Sequence, residues 1–182
     1  MWVREKAFDI GRAIGRRPIA SRLFCLVERV LPLEGLARSG RVVAFRHPRP
    51  SWAPHILVVP TTPFPALAVP SLSIPAKSAL LWEMSALAQS LTDTSTAQWQ
   101  MIINGGQRQD IGQVHGHLVH AGGDATGPAW ELDDPEANLD GWNRLFDRVH
   151  QAAQVPSNGY SVTFRFEPGN RLTAAFSESL RS

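Results

Sequence analysis

Residues 109–119 read QDIGQVHGHLV, with His115 and His117 separated by Gly116 in a stretch that otherwise alternates like a strand. In an extended chain, residues two apart project to one side, so this reading places Gln113, His115 and His117 together. Val114, Gly116 and Leu118 then face the other way, as does His120. Two imidazoles in a dry interior would each need a partner, whereas the rim of a cleft makes no such demand. The pair therefore admits a metal site, a satisfied structural pair, or nucleophilic chemistry at phosphorus. A metal site needs a third ligand, and no acid follows before Asp124. The preceding Asn104–Asp110, NGGQRQD, favours the phosphorus reading. Its glycine-rich turn offers backbone N–H groups and Arg108 to an anion, with Gln109 and Asp110 adjacent.

Working outward, Arg41–Phe45 and His55–Val59 read as an antiparallel pair of strands, followed by a proline-rich extended segment over 60–76. Helical spacing of Leu80, Leu81, Met84, Leu87 and Ala88 predicts a helix from about Pro75 to Leu91. AQWQMIINGG reads as a strand closing in a Gly-Gly turn, and QDIGQVHGHLVHAGG as the strand that returns. Residues 122–138 read as a loop, Leu139–Gln154 as a helix, and 158–179 as a hairpin turning at Pro168-Gly169-Asn170. Upstream, apolar spacing predicts helices over 3–16 and 19–31, interrupted at Pro18. Helix, Trp or Tyr, strand and Gly/Asn turn recur at 79–106 and at 141–170, a weak internal echo. No regular strand–helix–strand alternation is present, so the expected class is α+β with an antiparallel sheet and flanking helices.

The chain of 182 residues, 43% hydrophobic and 19% charged, fits one globular domain. Its single cysteine, Cys25, excludes an internal disulfide and a thiolate cluster. Residues 1–50 carry 11 lysines and arginines against 4 acids, and the rest of the chain 7 against 12. The basic residues of the first part are interspersed with apolar ones, as on a solvated face, and nucleic acid is not an expected partner. No apolar run suggests a membrane span or a signal peptide, so the expected location is cytoplasmic. Trp99, Trp130, Trp142 and Tyr160 are expected in the core, Trp52 and Phe64 at a pocket, and His150 on the polar side of its helix without a function.

These residues resemble the histidine-triad (HIT) superfamily of nucleotide hydrolases and transferases. Gln109-Asp110-Ile111 is similar to its Gln-(Ser/Thr/Asp)-Val, and Gln113-Val114-His115-Gly116-His117-Leu118-Val119 to its triad. GRVVAFRHPRPSWAPHILVVP resembles its upstream motif without insertion from Phe45 to Pro60. The resemblance implies a HIT-like core over 36–122, an N-terminal helical segment over 1–35 packed on it, and a C-terminal helix-hairpin extension over 123–182 of the same domain. It implies that His115 is a nucleophile forming a phospho-histidine, and that His117 contacts the phosphate and assists the leaving group. Gln113, in the first triad position, would orient a neighbour. Asn104, Arg108, Gln109 and Asp110 would hold the phosphate, with His55 supporting the site from beneath. The implied function is hydrolysis or nucleotidyl transfer at a phosphoanhydride, phosphoramidate or phosphate ester. The alternative is a silent HIT-like module that binds a nucleotide or a protein. No metal and no other cofactor is expected, and a nucleotide or other phosphate-containing small molecule is the expected partner.

The resemblance also has departures. Gln113 stands for a histidine, His47 for the ribose-binding aspartate, Gly116 for an apolar residue, and Thr61-Thr62-Pro63-Phe64 for Lys-x-His-Ile. Family members pair sheets edge to edge as homodimers, and here the C-terminal hairpin is the competing cover for that edge.

Overall fold

The computed structural model describes Arg22 and residues 35–92, 98–120, 128–167 and 171–179. Apart from Arg22, the helices expected over 3–16 and 19–31 lie outside the described residues, as does the turn at 168–170.

The strands are β1 (Gly35–Ser39), β2 (Val42–Arg46), β3 (His55–Pro60), β4 (Trp99–Gly106), β5 (Gly116–His120), β6 (Ala129–Leu132), β7 (Gly159–Glu167) and β8 (Arg171–Ser179). The two described helices are α1 (Ile74–Ser90) and α2 (Leu139–Ala153). All eight strands join one sheet in the order β1-β2-β3-β5-β4-β7-β8-β6, and every neighbouring pair is antiparallel. The class is thus the expected α+β with an antiparallel sheet. Two strands were not legible in the sequence. β1 lies in LEGLARSG, and β6 in the segment read as a loop, where it pairs with the outer side of β8. The hairpin β7–β8 covers the edge of β4 that β5 leaves open, so β4 is an interior strand.

Side-chain alternation divides the sheet into two faces. On one, Ala44, Ile56, Val58, Met101, Ile103, Leu118, Val162 and Phe164 are buried against the helices. α1 begins at Ser73, whose hydroxyl accepts from Ala76 N, with proline in its first turn. α2 is capped by Asn138, whose Oδ1 accepts from Gly141 N at 3.1 Å. Its stripe of Trp142, Leu145, Phe146, Val149 and Ala152 follows the helical period and is buried. Each large side chain buried in this layer contributes roughly 1.5–3 kcal/mol. Phe64 belongs to this core and is fully buried, which corrects its expected place at a pocket. Trp99, Trp142 and Tyr160 are buried as expected, while Trp130 is only partly so.

Gly116 sits on the helix face and leaves its place to a neighbour. A Cβ there would stand 2.6 Å from both Cγ and Sδ of Met101. The bulk missing from β5 is therefore supplied from β4, the adjacent strand. The opposite face carries Val43, Phe45, Leu57 and Val59 as a second apolar group, and beside them the polar side chains of the site.

Candidate active site

The strand expected over 109–123 is, among the described residues, regular only from Gly116, because the residues before it are held by side chains and not by a ladder. Gln109 is buried and its Nε2 donates to Pro65 O at 2.6 Å and to Ile111 O at 2.8 Å. Val114 N donates to Phe64 O at 2.7 Å. Gln113, 1% exposed, does more: its Nε2 donates to Pro60 O and Thr62 O, both at 3.0 Å, and its Oε1 accepts from Phe64 N at 3.0 Å. One carboxamide thus satisfies three backbone groups, which a histidine with two ring nitrogens cannot do. Gln113 and the altered 61–64 loop, two departures from the motif, are partners of each other. The side chain of Gln113 accordingly turns to that loop and not to the face shared by the histidines.

The glycine-rich turn is also occupied differently from expectation. Gln107 N donates to Asn158 O, Arg108 N to Gly105 O, and Gln109 N to Gly106 O. Those N–H groups are spent on the protein and make no backbone cradle. Gly105 lies under the Tyr160 ring, and Gly106 has a φ of +58°, so both glycines answer to local geometry. Any anion grip here must come from side chains.

The two histidines stand side by side with ring centroids 4.9 Å apart, inclined by 70°. Their hydrogen bonds fix opposite tautomers. His115 Nδ1 lies 2.8 Å from the carbonyl oxygen of Gln113 and must carry the proton, which leaves Nε2 with a bare lone pair. His117 is set by a relay. Ser51 N–H donates to His55 Nδ1 at 3.3 Å, so His55 is protonated at Nε2. That nitrogen is 2.9 Å from His117 Nδ1, which accepts, so His117 carries its proton on Nε2. Burial pushes the imidazole of His115 below its ordinary range, against smaller upward pulls from the Gln113 carbonyl and the Asp110 charge. It lowers His55 to about 4, with the charges of His47 and His115 adding to the effect. His117 is lowered further by burial and by the three neighbouring rings. All three are neutral at pH 7.

A cleft of about 470 Å³ opens beside them, lined by Trp52, Ile102, Asn104, Gln107, Arg108, Asp110, His117 and Ser161. Of the residues picked out by the sequence, Asn104, Arg108, Asp110 and His117 meet there. His115 stands next to His117 and is 9% exposed, while His55, Gln109 and Gln113 form the support. Trp52 is exposed, edge-on to His55 with centroids 4.9 Å apart. Ser161 was missed, since a serine within a strand has no chemical signature.

His47 stacks on His55 with centroids 4.0 Å apart and planes 14° from parallel. Its Nδ1 accepts from Arg49 N at 3.0 Å. Ring nitrogens of His47, His55 and His117 come within 4.8 Å of one another, and these are the residues positioned to hold a metal ion among those described. Near-parallel stacked rings, however, do not aim their in-plane lone pairs at one point. An ion would have to turn one ring and displace the His55–His117 hydrogen bond.

No family model and no curated protein matches the sequence. Solved structures do match. The HIT family hydrolase from Legionella pneumophila Philadelphia 1 is 24% identical over 58% of this chain and 96% of its own, with a TM-score of 0.44. A histidine triad protein from Clostridium difficile is 20% identical over 58% and 95%, with a TM-score of 0.45. The yeast Ap4A phosphorylase Apa2, in complex with AMP, is 15% identical over 78% of this chain, which spans 58% of the phosphorylase, with a TM-score of 0.50. At such identities the likeness carries the fold alone. The fold is the HIT-like α+β fold. Among the described residues no helix is long and apolar enough to cross a membrane.

Proposed function

We propose that the protein is a HIT-like phosphohydrolase or nucleotidyltransferase that works through a covalent phospho-histidine at His115. The observation that carries this reading is the pair of opposite tautomers at adjacent imidazoles. One presents a lone pair and the other an N–H beside a cleft that holds Arg108 and Asn104.

A phosphate seated against Arg108, Asn104 and the His117 Nε2–H is placed for attack by His115 Nε2. The N–P bond forms as the bond from phosphorus to the leaving group breaks, and the leaving atom departs with its electron pair. His117 Nε2–H donates a hydrogen bond to that atom, and solvent supplies the proton it finally keeps. The positive charge that develops on the His115 ring is stabilised by the Gln113 carbonyl at Nδ1–H and by the Asp110 carboxylate. Water, or an acceptor hydroxyl, then attacks phosphorus and gives up its proton to solvent, while the N–P bond breaks and its electron pair returns to Nε2. The AMP complex of the yeast Ap4A phosphorylase supports a nucleotide as substrate.

A second reading, a silent HIT-like module that binds a nucleotide or a protein, draws on His47. Its Nδ1 already accepts from Arg49 N, so it cannot receive a ribose diol as a carboxylate does. Incubation with a nucleoside phosphoramidate, a dinucleoside polyphosphate and a sugar nucleotide, followed by intact mass spectrometry, separates the two. The enzyme reading expects an adduct in wild type that is absent from His115→Ala. Failure to form an adduct with any donor moves the function to the silent module, and an adduct that survives the substitution places the nucleophile elsewhere.

A further inference from the structure

The side chains proposed to grip the anion are held from outside the histidine motif. Ser161 on β7 lies directly opposite Asn104 in the β4–β7 ladder and is 5% exposed. Its Oγ accepts from Arg108 Nη1 at 2.8 Å, and its hydroxyl donates to Asn104 Oδ1 at 2.8 Å. The second bond turns the carboxamide oxygen of Asn104 toward β7 and leaves its NH₂ as the group available to an anion. Two residues earlier, Gly159 keeps clear the path of the Arg108 stem, since a Cβ there would stand 2.7 Å from Arg108 Cγ and 3.3 Å from Arg108 N. The same short segment therefore gives Arg108 both a track along its stem and an anchor at its tip.

We infer that Ser161 and Gly159 are positioning residues for the anion subsite, and that β7, which pairs with β4 from Gln100 to Gly106, is an integral part of the site and not merely an edge cover. The physical reason is entropic. Arg108 is exposed, and a long exposed arginine loses rotamer freedom when it closes on a phosphate. A side chain already tethered has lost that freedom in advance, so the anion is bound more tightly with no new contact to it. A hydroxyl that serves two anion-binding groups at once also couples them.

The inference rests on the anion reading of the cleft, so its test separates the two. In the full chain, nitrogen-15 relaxation of the Arg108 Nε–H is measured without ligand, and inorganic phosphate is then titrated against backbone and side-chain shifts. Wild type, Ser161→Ala, Ser161→Thr and Gly159→Ala are compared. We expect an ordered Arg108 in wild type and a mobile one in Ser161→Ala, with phosphate affinity about 5-fold weaker. Ser161→Thr, which keeps the hydroxyl, restores both, and Gly159→Ala displaces the Arg108 signal. An Arg108 equally ordered, or equally mobile, in wild type and Ser161→Ala overturns the inference, as does unchanged phosphate affinity. If wild type ignores phosphate, the anion site of the proposed function falls, and the ligand-free order comparison still decides whether Ser161 positions Arg108.

Discussion

The helix–strand units α1–β4 and α2–β7 meet at the β4–β7 ladder, and they divide the labour unequally. β4 pairs with the histidine strand and ends in Asn104, while β7 begins at the same end of the sheet with Gly159 and Ser161. Beside the first unit, β5 and the residue before it carry His117 and His115, whereas the second unit contributes Ser161 to the cleft. The helices differ in the opposite sense. α2 buries an uninterrupted apolar stripe. α1 buries Lys77, Ser78 and Ser85 among its leucines, and Lys77 Nζ has only His150 Nε2, at 3.3 Å, as its hydrogen-bond partner among the described residues. The α2–β7 unit is thus the better-packed support, and in the proposed scheme it positions side chains for a nucleophile that lies outside it.

The largest effect expected on this comparison is the loss of the nucleophile. His115→Ala lowers single-turnover reaction with the phosphoramidate by on the order of 10³-fold or more, with an unchanged melting temperature. In the supporting unit, Phe146→Ala costs about 3–5 kcal/mol of stability by opening a core cavity and leaves the turnover of the folded fraction unchanged. Denaturant unfolding together with active-site titration checks this, and a specific loss of turnover would break the division drawn here.

Gln113→His sharpens the comparison on the histidine side of β4. If Gln113 serves the 60–64 loop, restoring a histidine leaves a buried backbone group unpaired and costs roughly 1–3 kcal/mol, with no gain in rate. A rise in rate at constant stability would show that its chemistry had been missed.

The pH dependence is a smaller effect with a definite sign. His55 titrates at about 4 in the folded chain, whereas an unfolded histidine titrates near 6.5. Below about pH 6.5 the unfolded chain takes up protons that the folded one refuses, so stability is constant above that pH and falls as pH drops toward 4. His117, lowered further, extends the loss to more acid pH. Melting temperatures from pH 7.5 to 4.5 should follow this course, with a shallower slope in His55→Gln. A flat profile in wild type would contradict the neutral, buried array.

What could be read in the sequence follows from which residues carry information alone. Paired histidines, a strand HILVV and a helix with Leu80, Leu81, Met84 and Leu87 on one face are legible because periodicity or rare chemistry marks them. β1 and β6 were not, because short edge strands owe their existence to the neighbour they pair with. The stretch 109–115 alternates like a strand, yet Gln109 and Gln113 bind it to residues 60–65, and tertiary contact overrides the pattern. Asn104, Arg108 and His117, picked out in the sequence, line one cleft, whereas Ser161 joins them only through the register of β7 on β4, which the sequence does not print.

The proposed chemistry needs two adjacent neutral imidazoles with their protons on opposite nitrogens, and long-range nitrogen–proton correlation spectra of the histidine side chains at pH 7 report those protons. We expect His115 protonated at Nδ1 and His117 at Nε2, with neither ring cationic. A His115 protonated at Nε2, or a cationic ring at either position, would contradict it.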